Sequence, residues 1–144
     1  MPASSPAPLA SAAEAFAAIA LAAVACDGEL AQLELRSLRQ QLEFRQPYCT
    51  WKEAEMVRLL DQLLALLRSD GVQGLIDQAA PLLEPEQRQT AFAVATNLTL
   101  ADHVESSEEQ HFLRELAAVL QISADRTEQI LAVISLLNRD SLAS

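Results

Sequence analysis

Two carboxylate pairs in this chain share one spacing. Asp27 and Glu34 lie seven residues apart, Asp102 and Glu109 repeat that interval, and 75 positions separate the two copies. Two carboxylates held close together repel and gain by sharing a cation. Oxygen ligands suit hard ions such as Ca²⁺ or Mg²⁺. The second copy adds His103 and Glu105, and His111 lies three residues after Glu108; an imidazole among carboxylates admits Zn²⁺. The alternating Asp/Asn positions of an EF-hand are missing. Each feature also has a plainer reading. Asp after an apolar helix forms turns, and Glu in a first helical turn favours the helix dipole. Ser106 with Glu109 makes a capping box, whereas Ala31 holds the cap position of the first copy, so capping does not account for Glu34. What the copies share is Asp with Glu at +7, which points to the metal set Asp27, Glu34, Asp102 and Glu109, with His103 and Glu105 as secondary ligands.

These residues need helices to carry them. Gly numbers 3 in 144 residues and β-branched residues are sparse, which favours helix over strand. From about Ser11 to Ala25 the chain is Ala-rich and apolar almost all round, the pattern of a buried helix, and Asp27-Gly28 ends it. A second helix spans about Ala31 to Arg45 with Leu35, Leu38 and Leu42 on one face. Thr50 to Glu53 reads as a capping box opening a helix to about Ser69. There Met56, Leu60, Leu63 and Leu67 form a stripe that Leu59 and Leu66 widen, and "SDG" stops it. A short helix from Val72 to Ala80 precedes Pro81. Pro85 opens another nearly all-apolar helix, Ser106 caps the next, and Ser123 caps a last one with Ile130, Ile134 and Leu137 facing inward.

The expectation is an all-α, single-domain bundle of about seven helices. Residues 1–10 form a disordered leader, 11–137 the helical domain and 138–144 a tail. The 75-residue repeat makes each half a helical hairpin, so the halves are pseudo-symmetric around the two apolar helices.

Charge and composition exclude several functions. A net charge of −10 opposes nucleic-acid binding, which needs a basic face, and permits cations or basic partners. No Gly-rich phosphate loop, Gly-x-Ser-x-Gly elbow or deaminase signature is present, so the chain reads as no enzyme. "LAAVACDGEL" faintly resembles a lipoprotein signal ending at Cys26. The segment before it holds no Lys or Arg, however, and Glu14 sits against the apolar run, contrary to a positive n-region. The expectation is an unprocessed N-terminus without lipid at Cys26. The run is shorter than the ~20 residues that span a bilayer. Cys26 and Cys49 show no metal or disulfide pattern, and a cytoplasmic location follows as the default.

The stretches "AAVACDGELAQLELRSL" and "TLADHVESSEEQHFL", with "LAAVLQIS" before the last helix, resemble the tellurite-resistance TerB-like family over roughly residues 11 to 137. The resemblance implies an all-helical bundle with acidic clusters that bind divalent cations, a role in metal-oxyanion resistance and stress responses, and no catalysis. It also implies protein partners, in part at the cytoplasmic face of the membrane; a related domain occurs in a membrane-anchored J-domain co-chaperone. The chain departs from the pattern in three places. Cys26 stands where Ala is usual, His103 replaces the Gly of the second Asp-Gly, and the acidic segment Asp102 to Glu109 replaces a simple turn. A Gly turns through positive φ cheaply and a His does not, so the two junctions are expected to differ. The alternative function is a metal-independent acidic helical adaptor for a protein partner.

Overall fold

A computed structural model of the chain describes residues 6–25, 32–100 and 107–142, with side chains of the second stretch from Leu35 onward. Among the described residues there are six α-helices and no strand: α1 Ala12–Val24, α2 Gln32–Glu43, α3 Glu53–Ala79, α4 Pro85–Leu100, α5 Ser107–Val119 and α6 Ala124–Leu137. Short 3-10 turns occupy Tyr48–Thr50 and Ala80–Leu82.

The centre is α1. Ser11 caps it by accepting from the Glu14 N–H at 3.2 Å, and the Glu14 carboxylate reaches back to the Ala10 N–H at 2.7 Å. Every residue from Ala17 to Val24 is buried. Alanines dominate that stretch, and their small side chains let α3 and α4 pack against α1 closely. The buried side of α4 includes Phe92, Val94, Ala95 and Leu100. Its buried Thr96 and Thr99 hydroxyls donate to the Phe92 and Ala95 carbonyls, at 2.8 and 2.9 Å, which removes the cost of burying them.

Packing begins at Leu9, ahead of α1. Leu9 is buried and its N–H donates to Gln78 Oε1 at 3.2 Å. Gln62 Nε2 donates to the Ala7 carbonyl at 3.1 Å.

Several expected details shift. The helix opened after Pro47 starts at Glu53 with Lys52 as its cap. Thr50 belongs to the preceding 3-10 turn, where its hydroxyl donates to the Pro47 carbonyl at 2.8 Å. The Lys52 N–H donates to Glu55 Oε1 at 3.4 Å, so the reach-back of a capping box exists two residues later than expected. The burial of Tyr48 explains the shift, because the turn that seats it uses Thr50. Val72 to Ala80 was expected as a separate helix. It continues α3 beyond a kink at Gly71, whose φ of 75° and ψ of 177° are not helical. In α3 itself Met56, Leu59, Leu63 and Leu66 are buried, while Leu60 and Leu67 are half-buried.

Leu137 does not face inward. It is 70% exposed, beside Val133 and Leu136 at 61% and 63%. Ile130 and Ile134 are half-buried and Thr127 is buried, on a helix that packs against α4.

Candidate metal centre at the helix junctions

Helix α1 ends at Val24, with the N–H of its C-cap Ala25 reaching the Leu21 carbonyl at 3.0 Å, and the described part of α2 begins at Gln32. Helix α4 closes at Leu100 and α5 begins at Ser107. Moving the first junction by 75 positions places the first described residue of α2 on that of α5, while Val24 falls one residue short of Leu100. Glu34 and Glu109 are each the third described residue of the following helix, and Glu109 lies in the first turn of α5, where the dipole favours a carboxylate. Leu38 and Leu113, equivalent under the same shift, are both fully buried.

The candidate ligands themselves are placed unevenly. Asp27, Asp102, His103 and Glu105, together with the side chain of Glu34, lie outside the described residues, as does the Ser106 cap. Glu109 is described and is half-buried, with the exposed Glu108 beside it. Among the described residues no three of His, Cys, Asp and Glu are grouped as metal ligands would be. His111 turns to Glu115, with Nε2 2.9 Å from Oε1, rather than to Glu108.

One repeated element was not read from the sequence. Arg39 of α2 pairs with Glu53 of α3, and Arg114 of α5 pairs with Glu128 of α6 at 2.5 Å. These pairs are 75 positions apart residue for residue. In each half an Arg on the second helix ties down the start of the third. The contact with Glu53, helped by Glu43 at 2.6 Å, pushes the Arg39 guanidinium above its ordinary pKa. Both pairs are exposed and contribute little stability. Their value lies in registering two helices that touch each other little and lean on the central helix instead. The 75-residue repeat contained the signal, since both Arg and both Glu recur in it.

Two of the clefts lie among the described residues. One of about 350 Å³ lies by the start of α1, lined by Phe16, Arg45 and Tyr48 among others. Arg45 lies over the Phe16 ring, 5.5 Å from its centroid. The other, of about 250 Å³, lies between α5 and α6, with Leu100, Leu113 and Leu131 along it and the Arg114–Glu128 pair at its edge. No described helix is long and apolar enough to cross a membrane.

An all-helical bundle with a helical hairpin repeated around two apolar central helices defines a class, and comparison with protein families identifies it. The tellurite resistance protein TerB family model matches residues 13–132, and the chain belongs to that family. No curated protein and no solved structure matches the chain.

Proposed function

We propose that this protein is a non-enzymatic, cytoplasmic stress-response module that binds divalent cations at its two helix junctions. Asp27 with Glu34 would form one site, and Asp102 with Glu109 the other, with His103 and Glu105 supporting the second. The observation that carries this reading is the equivalence of Glu34 and Glu109, 75 positions apart and each the third described residue of its helix. Membership of the TerB family supports it. The residues present fit a hard cation, because their donors are carboxylate oxygens; the histidine of the second junction extends the range to Zn²⁺.

With so few protein ligands the sites are weak, with Kd on the order of 10⁻⁴–10⁻³ M. At roughly 10 mM ion, mass action then stabilises the fold by about 1.4–2.7 kcal/mol per site. Calorimetric melts with and without Ca²⁺, Mg²⁺ and Zn²⁺ test this. Asp27→Asn with Glu34→Gln removes the first site's share and leaves the metal-free fold as stable or slightly more so. If the double variant destabilises the metal-free protein and keeps the ion response, the carboxylates are a turn and a dipole partner only. The second reading, a metal-independent adaptor, is favoured by one observation, the exposed apolar side chains of α6.

A further inference from the structure

Where the second half carries a long side chain, the first leaves a space. Arg88 of α4 donates from Nε to the Leu83 carbonyl at 2.9 Å, and from Nη1 to the Leu120 carbonyl and Gln121 Oε1 at 3.4 and 3.1 Å. Moved back by 75 positions, Arg88, Leu120 and Gln121 become Ala13, Arg45 and Gln46. Those three line the 350 Å³ cleft by the start of α1. A methyl group thus stands where the repeat holds a guanidinium, and the cleft stays open. Phe16, Tyr48 and the buried Leu83 give it an apolar floor. The Tyr48 hydroxyl is already engaged by the Ala13 carbonyl, so that residue offers its ring.

The side chain of Arg45 is the polar group left over. Three arginines are half-buried: Arg39, Arg45 and Arg88. Arg39 holds Glu43 and Glu53, and Arg88 has the acceptors just named. Arg45 has the Phe16 ring, 5.5 Å from its guanidinium carbon, and that contact leaves its N–H fork without an oxygen. None of the ion pairs among the described residues includes Arg45 or Glu86, the other charged residue lining the cleft. A guanidinium fork matches a carboxylate. The cleft is at the small end of the roughly 300–1,000 Å³ typical of ligand sites. Glu86 and a net charge of −10 oppose a polyanion, so a single carboxylate on an apolar body is the fitting ligand. We propose that this cleft binds a small organic monocarboxylate, with its carboxylate on the Arg45 guanidinium and its aliphatic or aromatic body against Phe16 and Tyr48. The cleft lies at the first turns of α1 and α4, whereas the two junctions follow the last turns of these helices. Binding here is therefore independent of any cation.

The test titrates the isotope-labelled full chain, in EDTA, with hydrocinnamate and with hydrocinnamamide, its neutral counterpart, and reads backbone amide shifts by NMR. Arg45→Gln removes the charge and leaves the apolar floor. Ala13→Met narrows the cleft without adding charge and carries the test should the first variant fail to fold. The expected result is saturable shifts centred on Ala13, Phe16 and Tyr48, with the acid bound at least about tenfold more tightly than the amide, the worth of a charge-assisted pair. Arg45→Gln brings the acid down to the level of the amide and leaves amide binding unchanged, which a general loss of structure would not do. Ala13→Met weakens both ligands. Equal affinity for acid and amide in the wild type overturns the proposal. So does an acid preference that survives Arg45→Gln, a set of shifts centred elsewhere, or the lack of any saturable shift.

Discussion

Tyr48 is the only tyrosine of the chain, and it is buried against α1. Its hydroxyl donates to the Ala13 carbonyl. Its ring lies 6.4 Å from Phe16 and edge-on to Trp51 at 5.1 Å. Burial pushes the phenol well above its ordinary pKa of 10.0, against the opposing pull of Arg45. A group whose pKa is raised in the fold contributes stability below its unfolded pKa and loses it above. Stability therefore falls as pH climbs past 10, by up to about 1.4 kcal/mol per pH unit from this residue. Tyr48→Phe costs about 1 kcal/mol at pH 7 through the lost hydrogen bond and flattens that alkaline fall. Urea midpoints at pH 8, 10 and 11 measure both effects, and equal slopes in the two proteins would refute the assignment. Gln121 poses the opposite case. It closes α5 with φ of 60°, its N–H on the Ala118 carbonyl and the Ile122 N–H on the Ala117 carbonyl, both at 3.0 Å. That is the Schellman arrangement, in which Gly is the preferred residue. The Gln side chain accepts from Arg88 Nη1 at 3.1 Å, an exposed bond of small worth. Gln121→Gly accordingly raises Tm by about 2–4 °C, from a relief of roughly 0.5–1 kcal/mol. A lower Tm would show that the Arg88 bond outweighs the backbone strain.

The elements were legible in sequence where periodicity and punctuation agreed. Pro85 opens α4 and Ser123 caps α6, accepting from the Arg126 N–H at 3.2 Å, because both residues act locally. Thr50 is not the cap because its hydroxyl donates to the Pro47 carbonyl within the 3-10 turn that carries the buried Tyr48. Leu137 failed as a core residue because an apolar pattern marks which side chains avoid water, not which neighbour is long enough to cover them. The ligand set rests on Asp and Glu at +7, of which Glu109 and the helical position of Glu34 are placed. The Arg39–Glu53 and Arg114–Glu128 bridges join residues 14 apart on different helices, so no helical periodicity marks them. "SDG" kinks α3 without ending it, since the helix continues from Val72 to Ala79. At Gly71 the backbone adopts φ of 75° and ψ of 177°, a region essentially reserved for glycine. A Cβ there would meet nothing within 4 Å, so the cost of a side chain is the dihedral strain alone. Gly71→Ala lowers stability by about 1–3 kcal/mol in a urea melt, and an unchanged midpoint would mean that α3 straightens through residue 71 at no cost.

At the scale of the molecule, pseudo-symmetry and interdependence are the same fact. Each half is a hairpin followed by a third helix, registered by one Arg–Glu bridge, but neither half covers its own centre. Helix α1 is buried from Ala17 to Val24 because α3 lies on one side and α4, from the other half, on another. Leu21 and Ile19 are wholly excluded from water, and an isolated first half would expose much of that surface. At ~25 cal/mol per Å², uncovering even a few such side chains removes several kcal/mol, comparable to the whole stability of a small domain. Residues 1–70 expressed alone should therefore lack a cooperative thermal transition as a monomer, or associate so that a second copy replaces α4. Circular dichroism melts paired with sedimentation decide the matter. A monomeric fragment with a sharp transition would show that the halves are independent hairpins. In that case the matched junctions would be two separate sites rather than one repeated design held by a common core.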